Sequence, residues 1–120
     1  MVIPIDVKAD NFYRYYVELI NPIIKLRKRE LDVLAKLMYY NNEYKDLEES
    51  IRFKIVFDYD TKLKIREELN IKDYALQNLM TSLRKKGAIK NKRINPSFVP
   101  VLTEDVSNYK IIFNININDK

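Results

Sequence analysis

The chain has no histidine, no cysteine and no tryptophan, and one glycine in 120 residues. Without cysteine there are no disulfides and no thiolate metal sites, which fits a reducing compartment. Without histidine or cysteine the usual general base and the usual thiol nucleophile are missing. A single glycine excludes a glycine-rich phosphate loop and predicts few sharp backbone turns. Alanine occurs only at positions 9, 35, 75 and 88. No stretch approaches the roughly 18 apolar residues of a membrane span. The opening MVIPIDVKAD lacks a basic start followed by a long apolar run, so no signal peptide is expected.

What is present describes a globular chain. Hydrophobic residues make up 47% and charged residues 32%, enough for one modest core in one domain over residues 1–120. The formal net charge is +5, and it is unevenly placed. Between Thr61 and Arg93 ten Lys/Arg stand against three acids, while the remainder of the chain is slightly acidic. Polyanions are natural partners of such a segment.

Apolar spacing gives the expected elements. Residues 2–8 and 12–20 alternate loosely, with Tyr13, Tyr15, Val17 and Leu19 on one parity, which predicts an N-terminal strand ended by Asn21-Pro22. In LRKRELDVLAKLMYYNNE, Leu31, Leu34, Ala35 and Met38 share one helical face. Residues 43–57 fit both a strand (Ile51, Phe53, Ile55, Phe57) and a short helix. DYDTKLKIREELNI predicts a helix capped by Asp60 or Thr61, with Ile65 and Leu69 inward. KDYALQNLMTSLRKK predicts another, with Leu76, Leu79, Met80 and Leu83 inward. Its end, Arg84-Lys85-Lys86-Gly87, places cations at the negative end of the dipole and a residue suited to the left-handed stop. AIKNKRI and YKIIFNININ read as strands, the second with Tyr109, Ile111, Phe113, Ile115 and Ile117 on one side. Between them lies a loop, NPSFVPVLTEDVSN.

Helix, tight turn, helix, glycine, strand, loop and strand in that order resemble the winged helix-turn-helix DNA-binding family, as found in small phage and plasmid proteins. The residues that carry the likeness are Ile65, Glu67-Glu68, Leu69, Asn70 and Ile71, then Leu76, Leu79-Met80 and Leu83-Arg84-Lys85-Lys86-Gly87-Ala88-Ile89. The upstream LRKRELDVLAKL is similar to the first helix of many regulators. The sequence departs from the pattern at Arg66, where the family often has Ala, and at Asn70, where it usually has Gly. Lys72 occupies the capping Ser/Thr position, so Asp73 is the expected cap.

The resemblance implies an α+β fold: a three-helix core, a helix-turn-helix over 61–86 and a C-terminal β-hairpin wing over 88–118, with the N-terminal strand added. It implies double-stranded DNA as partner, with helix 73–86 in the major groove. Tyr74, Gln77, Asn78, Thr81 and Ser82 would face outward, amides toward adenine. Lys72, Arg84, Lys85, Lys86, Lys90, Lys92 and Arg93 would meet phosphates. The role would lie in transcription, replication or packaging, and pairing into a homodimer would extend the short readout of one helix.

The alternative is a winged-helix-like structural or adaptor protein of a larger assembly such as a phage virion, since this fold also serves as a docking module. The expected location is a bacterial host cytoplasm for the first reading and a virion for the second. Tyr13, Tyr15, Tyr16, Tyr39, Tyr40 and Tyr44 read as core and interface filler. No enzyme, metal or other cofactor is expected: the pairs Glu48-Glu49, Asp58/Asp60, Glu67-Glu68 and Glu104-Asp105 have no base or nucleophile spaced with them, and Asp58-Tyr59-Asp60 is explained by helix capping.

Overall fold

A computed structural model describes residues 4–8, 11–100 and 109–118. Among them run five helices and one two-stranded hairpin: α1 (Phe12–Ile24), α2 (Lys28–Glu43), α3 (Glu49–Val56), α4 (Tyr59–Leu69), α5 (Asp73–Lys85), β1 (Ile89–Lys90) and β2 (Arg93–Ile94). The class is α+β and mostly helical. α2 is the centre, packing against each of the other four helices. Leu31, Leu34, Ala35 and Met38 are buried as the spacing predicts, and Val33, Leu37 and Tyr40 join them. A central helix needs apolar residues around much of its circumference, and α2 has them.

The segment expected as an N-terminal strand is helix α1. Its buried residues are Tyr13, Tyr16 and Val17, with Ile20 and Ile24 packed against the core, which is a helical period. Tyr15, Leu19 and Ile23 lie exposed on another side. Apolar residues on two sides of one helix produce the apparent alternation. Asn21-Pro22 does not end the element: Pro22 sits inside its last turn, and the stop comes at Lys25, left-handed at φ 54°. The Asn21 amide closes that corner, accepting from the Leu26 N–H at 2.8 Å and donating to the Leu26 carbonyl at 3.2 Å. Residues 4–8 are in no regular element, and the other residues of the expected first strand lie outside the described residues.

Within 43–57 the helical alternative holds. α3 buries Val56 and turns Phe53 and Phe57 toward the core. α4 is capped neither by Asp60 nor by Thr61: the Asp58 carboxylate accepts from the Thr61 N–H at 2.9 Å. Thr61 is buried instead, its hydroxyl donating to the Ile55 carbonyl at 2.7 Å and so fixing α3 to α4. Asn70 takes the left-handed conformation at φ 54° in the turn to α5. Asp73 does not cap α5. Lys72 occupies that position without a side-chain bond, and Asp73 begins the helix with its carboxylate 3.9 Å from the Arg66 guanidinium.

At the other end of α5, Gly87 is left-handed at φ 83°. Its N–H donates to the Arg84 carbonyl (3.2 Å) and the Ala88 N–H to that of Leu83 (2.9 Å), the Schellman pattern. The expected wing over 88–118 is far shorter. β1 pairs antiparallel with β2, Ile89 opposite Ile94 and Lys90 opposite Arg93. Asn91 and Lys92, both left-handed at φ 53° and 60°, form the two-residue turn. Asn95 then seals the hairpin, its N–H donating to Ala88 (2.8 Å) and its amide to the Gly87 carbonyl (2.9 Å). Of the expected loop, residues 95–100 are described and include a single 3-10 turn, Pro96–Phe98. Residues 101–108 lie outside the described residues. Tyr109 to Asn118, expected as the second wing strand, belongs to no strand.

α2 and α5 are joined by a polar contact within the core. Glu30, 1% exposed, accepts from the Arg27 N–H at 2.7 Å, from the Ser82 hydroxyl, and from the Lys86 ammonium at 2.6 Å. Burial alone would raise this carboxyl. The bonds from Lys86, Ser82 and Arg27, with the Lys86 charge, hold it below its ordinary 4.5. Its contribution is therefore complete above pH 4.5 and is lost as pH falls through the lower folded value.

Glu30→Gln should cost about 2 kcal/mol at neutral pH by chemical denaturation, the worth of bonds to a charged group. The variant should also lose part of the wild-type fall in stability below pH 4.5; an unchanged acid profile contradicts the assignment. Gly87→Ala should cost about 1 kcal/mol, because the added Cβ meets only the Lys90 Cε at 3.6 Å and the penalty is conformational. A neutral result in urea melts would disprove it.

Candidate nucleic-acid interface

α5 divides its surface by its period. Leu76, Met80 and Leu83 are buried, with Leu79 half-buried beside them. Tyr74, Gln77, Asn78, Thr81 and Lys85 are exposed and share the opposite side, Tyr74 at 69%. Lys72 is exposed at the start of the helix. The adjacent Gln77 and Asn78 amides each offer a donor and an acceptor, the pair that adenine's major-groove edge requires. Ser82, expected on this face, is turned to Glu30 instead.

The cations expected to meet phosphates separate into two groups. Lys86 is tied to Glu30 and Arg93 to Glu49 at 2.7 Å. Among the described residues no ion pair involves Lys72, Arg84, Lys85, Lys90 or Lys92, and all five are exposed. Lys85 lies on the outward face of α5, Arg84 on its flank, and Lys90 and Lys92 on the hairpin.

Beside Arg84 a groove of about 880 Å³ runs between α3, the start of α4 and the hairpin. Phe53, Phe57 and Ile89 supply apolar lining, and Lys54, Lys62, Arg84, Lys92 and Arg93 supply charge. Glu48 and Glu49 add acids, and Glu49 already holds Arg93. Lys54 and Lys62 are not among the residues the sequence points to for a site, and Phe53 and Phe57 figure there only as positions of a possible strand. Their signal was present in Phe53 and Phe57, spaced i, i+4, which join only when 43–57 is helical.

A second hollow of about 550 Å³ between α1, α2 and α4 is structural in character. Tyr40 donates to Glu68, which also pairs with Lys36 at 2.6 Å, and Arg14 joins α1 to Asp32 of α2 at 2.7 Å. Burial, with the Glu68 bond and charge, pushes the Tyr40 phenol further above its ordinary value. Burial and Glu43 push Tyr13 up to about 12. Neither phenol is poised to exchange a proton near neutrality. Of the tyrosines read as filler, Tyr13, Tyr16 and Tyr40 are buried, Tyr39 and Tyr44 are partly buried, and Tyr15 is exposed. Among the described residues there is no group of three or more acids placed to hold a metal ion, and no helix is long and apolar enough to cross a membrane.

Compared with known proteins, the chain matches no family model, no curated protein and no solved structure.

Proposed function

We propose that this chain is a small DNA-binding protein of winged helix-turn-helix type. In this reading α4 and α5 are the helix-turn-helix, α2 is the supporting helix and the β1–β2 hairpin is a shortened wing. α5 enters the major groove with Gln77, Asn78 and Thr81 toward base edges and Tyr74 toward a phosphate or a thymine methyl. Lys72, Lys85, Lys90 and Lys92 lie along the phosphates, with Arg84 at the flank. The observation that carries the reading is the pairing of an exposed amide-rich face on α5 with cations at its ends and on the hairpin that no described acid neutralises. Lys86 is held by the buried Glu30 and takes a structural part, while Arg93 shares an exposed pair with Glu49. The role lies in transcription, replication or packaging. A second reading, an adaptor or structural subunit of an assembly such as a virion, is favoured by the exposed apolar residues of 109–118.

Binding to mixed-sequence duplex DNA should weaken steeply with salt. Each single Ala substitution at Lys72, Lys85, Lys90 or Lys92 should lower the slope of log affinity against log salt by about one. Gln77→Ala and Asn78→Ala should each cost about 1–3 kcal/mol on a preferred site and relax preference there. Lys86→Ala should lower stability more than DNA affinity. Salt-independent binding, or none, overturns the reading.

A further inference from the structure

In residues 109–118, Tyr109 and Ile111 pack against the rest of the fold, while 112–118 carry an apolar pattern that it does not use. They are in no strand, and among the described residues they make no backbone–backbone hydrogen bond. Ile112, Ile115 and Ile117 are 88%, 78% and 86% exposed, and Phe113 is exposed too. Exposed β-branched residues on unpaired backbone are a template for strand addition. The chain's own sheet gives them no edge, because β1 and β2 are two residues long each.

We propose that two copies of the chain pair antiparallel through residues 110–118, with Asn114 on the two-fold axis. The sequence is self-complementary in that register. Ile111 stands opposite Ile117 of the second copy and Phe113 opposite Ile115, on one face of the ribbon. Asn114 meets Asn114, Ile112 meets Asn116 and Lys110 meets Asn118 on the other. Directly opposed residues of an antiparallel pair share a face, so the odd positions build one continuous apolar side. No like charges are opposed, since Lys110 is the one charged residue of the segment.

A two-stranded ribbon alone is marginal in water and needs a helix to lie on. α1 supplies one. Its Tyr15, Leu19 and Ile23 form an exposed apolar stripe. Tyr109 already ties the segment to that helix through edge contacts with Phe12 (5.6 Å) and Tyr16 (6.1 Å). This pairing stands apart from DNA binding and does not rest on it.

A chain without cysteine makes the register directly testable. Single cysteines at 112, 113, 114, 115 and 116 should be oxidised mildly and read by non-reducing electrophoresis. Asn114→Cys should give the most disulfide-linked dimer. Single cysteines at 113 or 115 fall beyond disulfide reach of their own copies, while a mixture of Phe113→Cys and Ile115→Cys should cross-link. Sedimentation of the wild type should give about twice the 14.4 kDa of the chain. Ile115→Lys should return it to monomer with the helical circular dichroism and melting unchanged. A monomeric wild type, growth beyond dimers, equal cross-linking at all five positions, or a dimer that survives Ile115→Lys would each overturn the proposal.

Discussion

Glu30 is a carboxylate taken almost wholly out of water, and such a group stays in a core only when charged or polar donors surround it. It lies in the first turn of α2, where its acceptance from the Arg27 N–H also satisfies one of the helix's orphan donors. Its remaining capacity is directed at Ser82 and Lys86, at the end of α5. The start of the central helix and the end of the outward helix are therefore joined by a contact that depends on rotation as well as distance. A purely apolar contact between α2 and α5 would tolerate slippage of α5 about its axis. This one does not, because Ser82 and Lys86 must both reach one carboxylate.

That constraint decides what α5 shows to solvent. With Ser82 and Lys86 directed at α2, and Leu76, Met80 and Leu83 in the core, Tyr74, Gln77, Asn78, Thr81 and Lys85 are left outside. It also divides the basic run before Gly87. Three consecutive cations read as one patch in the sequence, yet a helix turns 100° between neighbours and sends them to three places. Arg84 lines the groove, Lys85 joins the outward face and Lys86 is an internal partner. The nucleic-acid reading consequently rests on fewer cations than the composition implies, placed at the helix ends and on the hairpin.

The legible parts of the fold are those where one face of an element is apolar and the other is not. α4 and α5 have that contrast, and α2, apolar around much of its circumference, still keeps a polar side at Lys28, Arg29, Asp32 and Lys36. Leu31, Leu34, Ile65 and Leu83 are buried where their spacing puts them. α1 lacks the contrast, because Tyr15, Leu19 and Ile23 are as apolar as the residues it buries, so period two and period 3.6 overlap. The second strand expected of the wing does not form, for a related reason. YKIIFNININ has the composition and alternation of a strand, but alternation says nothing about where a partner comes from. Within the candidate site, Tyr74, Gln77, Asn78 and Thr81 follow from the helix period. The loss of Ser82, Lys86 and Arg93 to internal pairs did not follow, since their acids stand 52, 56 and 44 residues away in the chain.

The scarcity of glycine carries a further consequence. One glycine suggested few sharp turns, yet four other residues are left-handed: Lys25, Asn70, Asn91 and Lys92. Each carries a conformational cost of about 1–2 kcal/mol, eased for Asn by its local hydrogen bonding. At Lys25 the neighbouring Asn21 amide offsets it by clasping Leu26. At Asn91-Lys92 the tight turn brings Ile89 and Ile94 together in the core, and their burial offsets the strain. The residues chosen also change what the turn can do. A glycine pair would leave the hairpin tip uncharged, whereas Asn91-Lys92 sets a cation at its end with Lys90 close behind. In the DNA-binding role proposed above, Lys92 at the tip of this two-residue hairpin would take part in the turn and meet a phosphate.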